Sequence, residues 1–189
     1  TNTSYLDVDA IADRLPNPER VLGLHFFSPA HIMRLLEVVR GAKTDPSVLA
    51  SAMLLGKRMR KVAAVSGVCH GFIGNRMLSC YGREAGLMLL EGASPRQIDK
   101  ALTDFGMPMG PFTMGDMAGL DIGYMNRQKL DPERLEQRAF LVHDRLVEMG
   151  RKGQKTGAGF YRYEEGNRTP LDDETLDEVL GTVRAERGA

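Results

Sequence analysis

Residues 20–27, RVLGLHFF, and residues 35–40, LLEVVR, are two compact apolar runs, each interrupted by one ionisable residue, His25 and Glu37. The first reads as a strand closed by Ser28-Pro29, the second as a strand closed by Gly41. Upstream, Leu6 to Leu15 has a helical pattern with Asp7 as N-cap and Val8, Ile11 and Leu15 on one face, broken at Asn17-Pro18. Downstream, Thr44-Asp45-Pro46 opens a helix with Pro at its first position, running to about Lys61. Lys61 to Ser66 (KVAAVS) is a third strand. The chain therefore begins as an α/β piece ending near residue 66. Three strands are too few for a well-covered parallel sheet, and long bare edges invite aggregation. The expectation is that further strands lie upstream, and that the opening Thr1-Asn2-Thr3-Ser4 is an interior point of a longer protein.

From Gly71 the pattern turns helical. Asn75 to Glu91 reads as one long helix stopped by Gly92 as C′ residue. Ser94-Pro95-Arg96-Gln97 is a capping box opening a helix that ends at Gly106. Residues 106–119 are rich in Gly, Pro and Met, too irregular for a long helix. Asp131-Pro132 is expected to cap a helix ending at Gly150. Residues 151–170 read as loop with a short strand at Phe160 to Tyr163. A last amphipathic helix, Asp173 to Ala185, puts Leu176, Val179, Leu180 and Val183 on one face.

Composition excludes several function classes. The 189 residues carry 25 Lys plus Arg and 25 Asp plus Glu, so no basic field draws nucleic acid or anionic lipid. Trp is absent and aromatics are few, which argues against single-strand stacking platforms. No apolar run reaches the roughly 20 residues that span a bilayer. Cys69 and Cys80 suit reduced thiols in a cytoplasmic setting better than a disulfide framework or a zinc site. His31, His70 and His143 have no ligand spacing, and no metal is expected. The eleven Met suit gap-filling in a core, with a Met-lined acyl tunnel as the alternative.

The chemistry-bearing candidates start with Glu37. A carboxylate inside an apolar strand is costly unless paired. His25, in a neighbouring run, is the available partner, giving a dyad in which the carboxylate fixes the imidazole tautomer and stabilises the imidazolium. A structural ion pair would look the same. Asn75, after Gly71-Phe72-Ile73-Gly74, is either a cap residue or an amide aimed at a substrate oxygen. Ser4 by itself says only cap or loop. Lys155 lies in Gln154-Lys155-Thr156-Gly157-Ala158-Gly159-Phe160; the glycines invite a phosphate-loop reading, but neither GxGxxG nor GxxxxGK[ST] is present.

Taken in order, several segments resemble the 3-hydroxyacyl-CoA dehydrogenase family. They are Thr1-Asn2-Thr3-Ser4; Gly23-Leu24-His25-Phe26-Phe27-Ser28-Pro29 with Glu37 following; and Gly71-Phe72-Ile73-Gly74-Asn75-Arg76-Met77-Leu78. Then come Met109-Gly110-Pro111-Phe112, Asp116, Gly119-Leu120-Asp121, and Gly153 through Tyr161. Ser28 and the ending Tyr161-Arg162-Tyr163 make the wording similar to the dehydrogenase part of multifunctional fatty-acid β-oxidation enzymes. The resemblance implies an α/β remnant of a Rossmann domain over residues 1–66, lacking its GxGxxG half, followed by the family's all-α C-terminal domain over residues 67–189. It implies oxidation of the 3-hydroxyl of a 3-hydroxyacyl-CoA to a ketone, with NAD as cofactor. His25 would be the general base and Glu37 its orienting partner. Ser4 and Asn75 would hold the substrate oxygen, Ser4 would also lie near the nicotinamide, and Lys155 would reach the cofactor. NAD would be held mostly by the part upstream of Thr1, so these residues alone are expected neither to bind it well nor to turn over. Two other readings stay open: a non-catalytic helical module that forms a homodimer or docks on a partner domain, and a dehydrogenase of a non-CoA hydroxy acid.

Overall fold

Gly23–Phe26 (β1) and Leu35–Arg40 (β2) pair antiparallel, with His25 directly opposite Glu37. Val62–Gly67 (β3) adds to the other edge of β2 in parallel, giving the order β1-β2-β3. A computed structural model describes residues 1–128 and 137–186 of the chain. These divide into two units, Thr1–Ser79 and Cys80–Ala189.

In the first unit, alternation along β2 sends Leu36 and Val38 to one face and Glu37 and Val39 to the other, all fully buried. Pro46–Arg58 (α2) covers the first face; Leu36, Val38 and Ala52 form a core there, flanked by Leu24, Leu49 and Ala63. Fully burying such aliphatic side chains contributes about 1.5–3 kcal/mol each. Asp45 caps α2 through Ser47 N–H, and the helix stops at Arg58, short of Lys61, because Arg60 turns to a positive φ of 57°. The second face is closed by Val8–Ala12 (α1), whose Val8 packs with Val39 and Phe72. Asp7 caps α1 as expected, but the helix is shorter than Leu6 to Leu15, and both of those leucines are exposed. β1 is likewise shorter than its apolar run, because Pro18–Arg20 forms a 3-10 turn.

The second unit is helical. Gly74–Leu90 (α3) runs across the division between the units. Pro95–Phe105 (α4) has the Ser94/Gln97 capping box and ends at left-handed Gly106. Pro111–Ala118 (α5) and Leu120–Arg127 (α6) follow, then Leu141–Glu148 (α7) and Glu174–Glu186 (α8). The sequence pattern did not announce α6: it has no side-chain cap and carries Gly123. The Asp131-Pro132 cap lies outside the described residues. Leu89, Phe112, Val142, Leu146 and Phe160 build the core with Leu176, Val179, Leu180 and Val183, the expected face of α8. Among the described residues, no helix is long and apolar enough to cross a membrane.

Residues 160–163 do not form the expected strand; only the isolated bridges Ala158↔Arg162 and Arg162↔Leu171 are present. The reason is a buried carboxylate. Asp116 Oδ1 accepts from Phe160 N–H at 2.9 Å, and Oδ2 accepts from Tyr161 N–H and the Tyr163 hydroxyl at 3.0 Å each. Backbone donors spent on Asp116 are not available to a ladder.

Candidate active site

The dyad is assembled in the first unit. His25 Nδ1 lies 2.6 Å from Glu37 Oε2, and Nε2 lies 2.9 Å from Ser4 Oγ. With a carboxylate able only to accept, Nδ1 carries the proton and donates to Glu37. Nε2 is then the basic nitrogen, and the Ser4 hydroxyl donates to it. His25 is 4% exposed and Glu37 0%, so their pairing is screened little by water. Phe27 and Phe72 flank the imidazole with ring centroids 4.7 and 5.5 Å away.

Glu37 does not depend on His25 alone. Its Oε1 accepts from Ile73 N–H at 2.9 Å and Gly74 N–H at 2.6 Å. These amides are those of the residue just before α3 and of its first residue, and the helix N-terminus favours a negative charge there. A carboxylate with three donors offsets the desolvation that would otherwise be prohibitive. The chain reaches this geometry through Gly71 and Phe72, both left-handed (φ 72° and 47°), which swing it from β3 into α3. For Phe72 that conformation is strained by about 1–3 kcal/mol, sustained by its burial against Val8 and Val39. Glycine at position 74 lets the turn pass close to Phe27: a Cβ there would lie 2.9 Å from Phe27 Cζ.

Ser4 is positioned from the other flank. Thr1 O accepts from Leu24 N–H, and Asn2 Oδ1 accepts from Phe26 N–H, which lays residues 1–2 along β1. Thr3 Oγ1 then takes Tyr5 and Leu6 N–H, turning the chain so that Ser4 faces His25. Asn75 is the second residue of α3, half-buried, one residue after the Gly74 N–H on Glu37.

The family's NAD-binding domain, described as "3-hydroxyacyl-CoA dehydrogenase, NAD binding domain", matches residues 1–69, and its C-terminal domain matches residues 71–163. The chain belongs to the 3-hydroxyacyl-CoA dehydrogenase family. It is 47% identical, over its whole length, to a peroxisomal bifunctional enzyme of Danio rerio, and 41% identical to the fatty acid oxidation complex subunit alpha of a Shewanella species (strain MR-4). It spans 28% and 27% of those two proteins, just over a quarter of each. A solved (S)-3-hydroxybutyryl-CoA dehydrogenase from Ralstonia eutropha superposes with a TM-score of 0.78 at 32% identity, covering 86% of this chain and 59% of that one.

Lys155 lies in the second unit, where its Nζ bonds Asp121 at 2.5 Å; that contact holds the Asp121 carboxyl below the usual range. The glycine-rich segment around it wraps a carboxylate: Gly159 has no Cβ because Asp116 Oδ1 occupies that space. Burial pushes Asp116 up to about 6 against the pull of its N–H and Tyr163 partners. A second buried acid, Asp99, accepts from Phe112 N–H, Thr113 N–H and hydroxyl, and the Tyr161 hydroxyl. Both phenols are raised, by burial first and then by these carboxylates. His143 is boxed by Phe112, Phe140 and Phe160, and burial, with Arg127 nearby, lowers it to about 3, so it is neutral at pH 7. Among the described residues no group of three His, Cys, Asp or Glu is placed to hold a metal.

The geometry adds functional groups that the sequence reading did not single out: the Ile73 and Gly74 amides on Glu37, and Asn2 and Thr3 behind Ser4. Backbone donors have no side-chain signature. The available signal was Gly71 and Gly74 immediately before a helix, a spacing suited to bringing first-turn amides close to an acid.

Proposed function

We propose that His25, Glu37, Ser4 and Asn75 form the proton-transfer centre of an NAD-dependent L-3-hydroxyacyl-CoA dehydrogenase of fatty-acid β-oxidation. The observation that carries this reading is the polarity of the dyad: Glu37 fixes the proton on Nδ1 of His25, leaving Nε2 basic at a hydroxyl. The substrate's 3-hydroxyl replaces Ser4 on Nε2 and gives up its proton there; the O–H bond breaks as an N–H bond forms. Glu37 stabilises the imidazolium, and Ser4 and Asn75 hold the substrate oxygen. Phe27 and Phe72 keep water from the imidazole. NAD⁺, when bound, accepts the hydride that leaves C3. A place for Ser4 beside the nicotinamide rests on the family resemblance. A role for Lys155 at the cofactor rests on the family resemblance alone, since here the lysine is paired with Asp121.

The substrate class, 3-hydroxyacyl-CoA, follows from the same family membership. The helical unit is read as the part that meets a second copy or a neighbouring domain, supported by the exposed Phe105, Ile122 and Met125. The thiol chemistry suits a reducing, cytoplasmic setting; the Danio rerio relative is by name peroxisomal. The test is His25→Ala in the whole protein, assayed by NADH consumption with acetoacetyl-CoA. Turnover should fall about 10²–10⁴-fold with the fold retained. Unchanged turnover would overturn the assignment.

A further inference from the structure

Two turns reach the dyad from opposite flanks, and each carries an aromatic ring that the chemistry above does not use. One is Thr3–Leu6, which delivers Ser4 to His25 Nε2. The other is Cys69–Gly74, which delivers the Ile73 and Gly74 amides to Glu37. Tyr5, next to Ser4, and His70, at the head of the second turn, meet with ring centroids 4.9 Å apart and planes inclined by 35°. Neither ring belongs to a hydrophobic core: Tyr5 is 42% exposed and His70 is exposed. The second turn passes through Gly71 and Phe72, both with positive φ, directly after His70.

We infer that the Tyr5–His70 contact is a positioning device that clamps the Ser4 turn to the Gly71–Gly74 turn, holding both outer partners of the His25–Glu37 dyad in register. The inference rests on the dyad being the proton-transfer centre. Tyr5 and His70 touch neither reacting group; they act through Ser4 and through the amides on Glu37. A displacement of Ser4 or Glu37 by a fraction of an ångström lowers the rate of proton transfer while leaving acyl-CoA binding intact.

The experiment uses the whole protein with acetoacetyl-CoA and NADH. Tyr5→Ala and His70→Ala should each lower kcat about three- to tenfold, the range that loss of one aromatic contact allows. KM should stay within about twofold, and the alkaline limb of the kcat/KM pH profile, where the proton donor of this direction is lost, should be displaced, which a smaller folded fraction would not cause. The double variant should be no worse than either single one, because both remove the same contact. Tyr5→Phe and His70→Phe, which keep a ring, should retain most of the activity. Should an alanine variant fail to fold, Tyr5→Leu and His70→Leu pose the same question with bulk retained. Unchanged kcat in the single variants, additive losses in the double variant, or phenylalanine variants as impaired as the alanine ones would each overturn the clamp. His25→Ala in the same assay separates the two levels. If it keeps turnover, the reading of the dyad fails; if it loses turnover while the Tyr5 and His70 variants are normal, only the clamp fails.

Discussion

Replacing Glu37 by Gln exchanges one oxygen for an NH₂ group and probes the whole site. The carboxylate has no solvent exposure and accepts three hydrogen bonds, from His25 Nδ1–H, Ile73 N–H and Gly74 N–H. A Gln amide can present its oxygen to only one side. The two α3 amides are fixed backbone donors, so the oxygen stays with them and the NH₂ group turns to His25. An NH₂ group facing Nδ1 makes that nitrogen an acceptor, and the imidazole proton moves to Nε2. The base is then blocked at the atom that must take the substrate proton. A tautomer reversed in this way costs up to about 10⁴-fold in kcat, of the same order as removing the general base. The stability cost is smaller, because all three contacts survive in neutral form: about 1–3 kcal/mol, the difference between charge-assisted and neutral hydrogen bonds. Glu37→Gln in the whole protein should therefore melt a few degrees lower and lose at least about 10²-fold in the oxidation of L-3-hydroxybutyryl-CoA by NAD⁺, the direction in which Nε2 must accept the proton. Substrate binding should be nearly intact. A folded Glu37→Gln protein with turnover within threefold of the parent would refute the reasoning, since no tautomer control could then reside at this carboxylate.

Gly74→Ala places a methyl 2.9 Å from Phe27 Cζ, so either the ring or the first turn of α3 must shift. Activity should fall about tenfold or more as the Gly74 amide leaves Glu37, whereas an unchanged melting temperature and rate would show that the contact is slack. Asp116 gives a pH signature in the helical unit. Its folded carboxyl, raised to about 6 by burial, keeps its proton where the unfolded one, near 3.8, has lost it. The folded state thus binds more protons between about pH 4 and 6, and this group's contribution to stability falls as pH rises through that window, by on the order of 3 kcal/mol. Urea denaturation of the parent and Asp116→Asn at a series of pH values should show their difference declining across that window and levelling above it; a difference rising with pH would reverse the sign and reject the account.

Much of the architecture was legible in the chain because local rules decided it. The residues of β2, the Asp45-Pro46 start of α2, the Ser94/Gln97 capping box, left-handed Gly92 and Gly106, and the inner face of α8 all follow from periodicity and end signals. Departures arose where a distant group spent a backbone donor or where no cap was present. Residues 160–163 lost their strand to Asp116, and α6 begins at Leu120 after Gly119, with no side-chain cap to mark it.

The same division holds for His25 and Glu37. The sequence by itself determined that Glu37 required a partner, because a carboxylate within an apolar strand is too costly alone, and that His25 was the candidate. It could not distinguish a structural ion pair from an oriented base. Only the tertiary structure decided which imidazole nitrogen meets the carboxylate, that the start of α3 lends Glu37 two amides, and that Ser4 sits on the free nitrogen. Those relations depend on hydrogen-bond directions between residues twelve to thirty-seven positions apart, which periodicity and propensity do not encode.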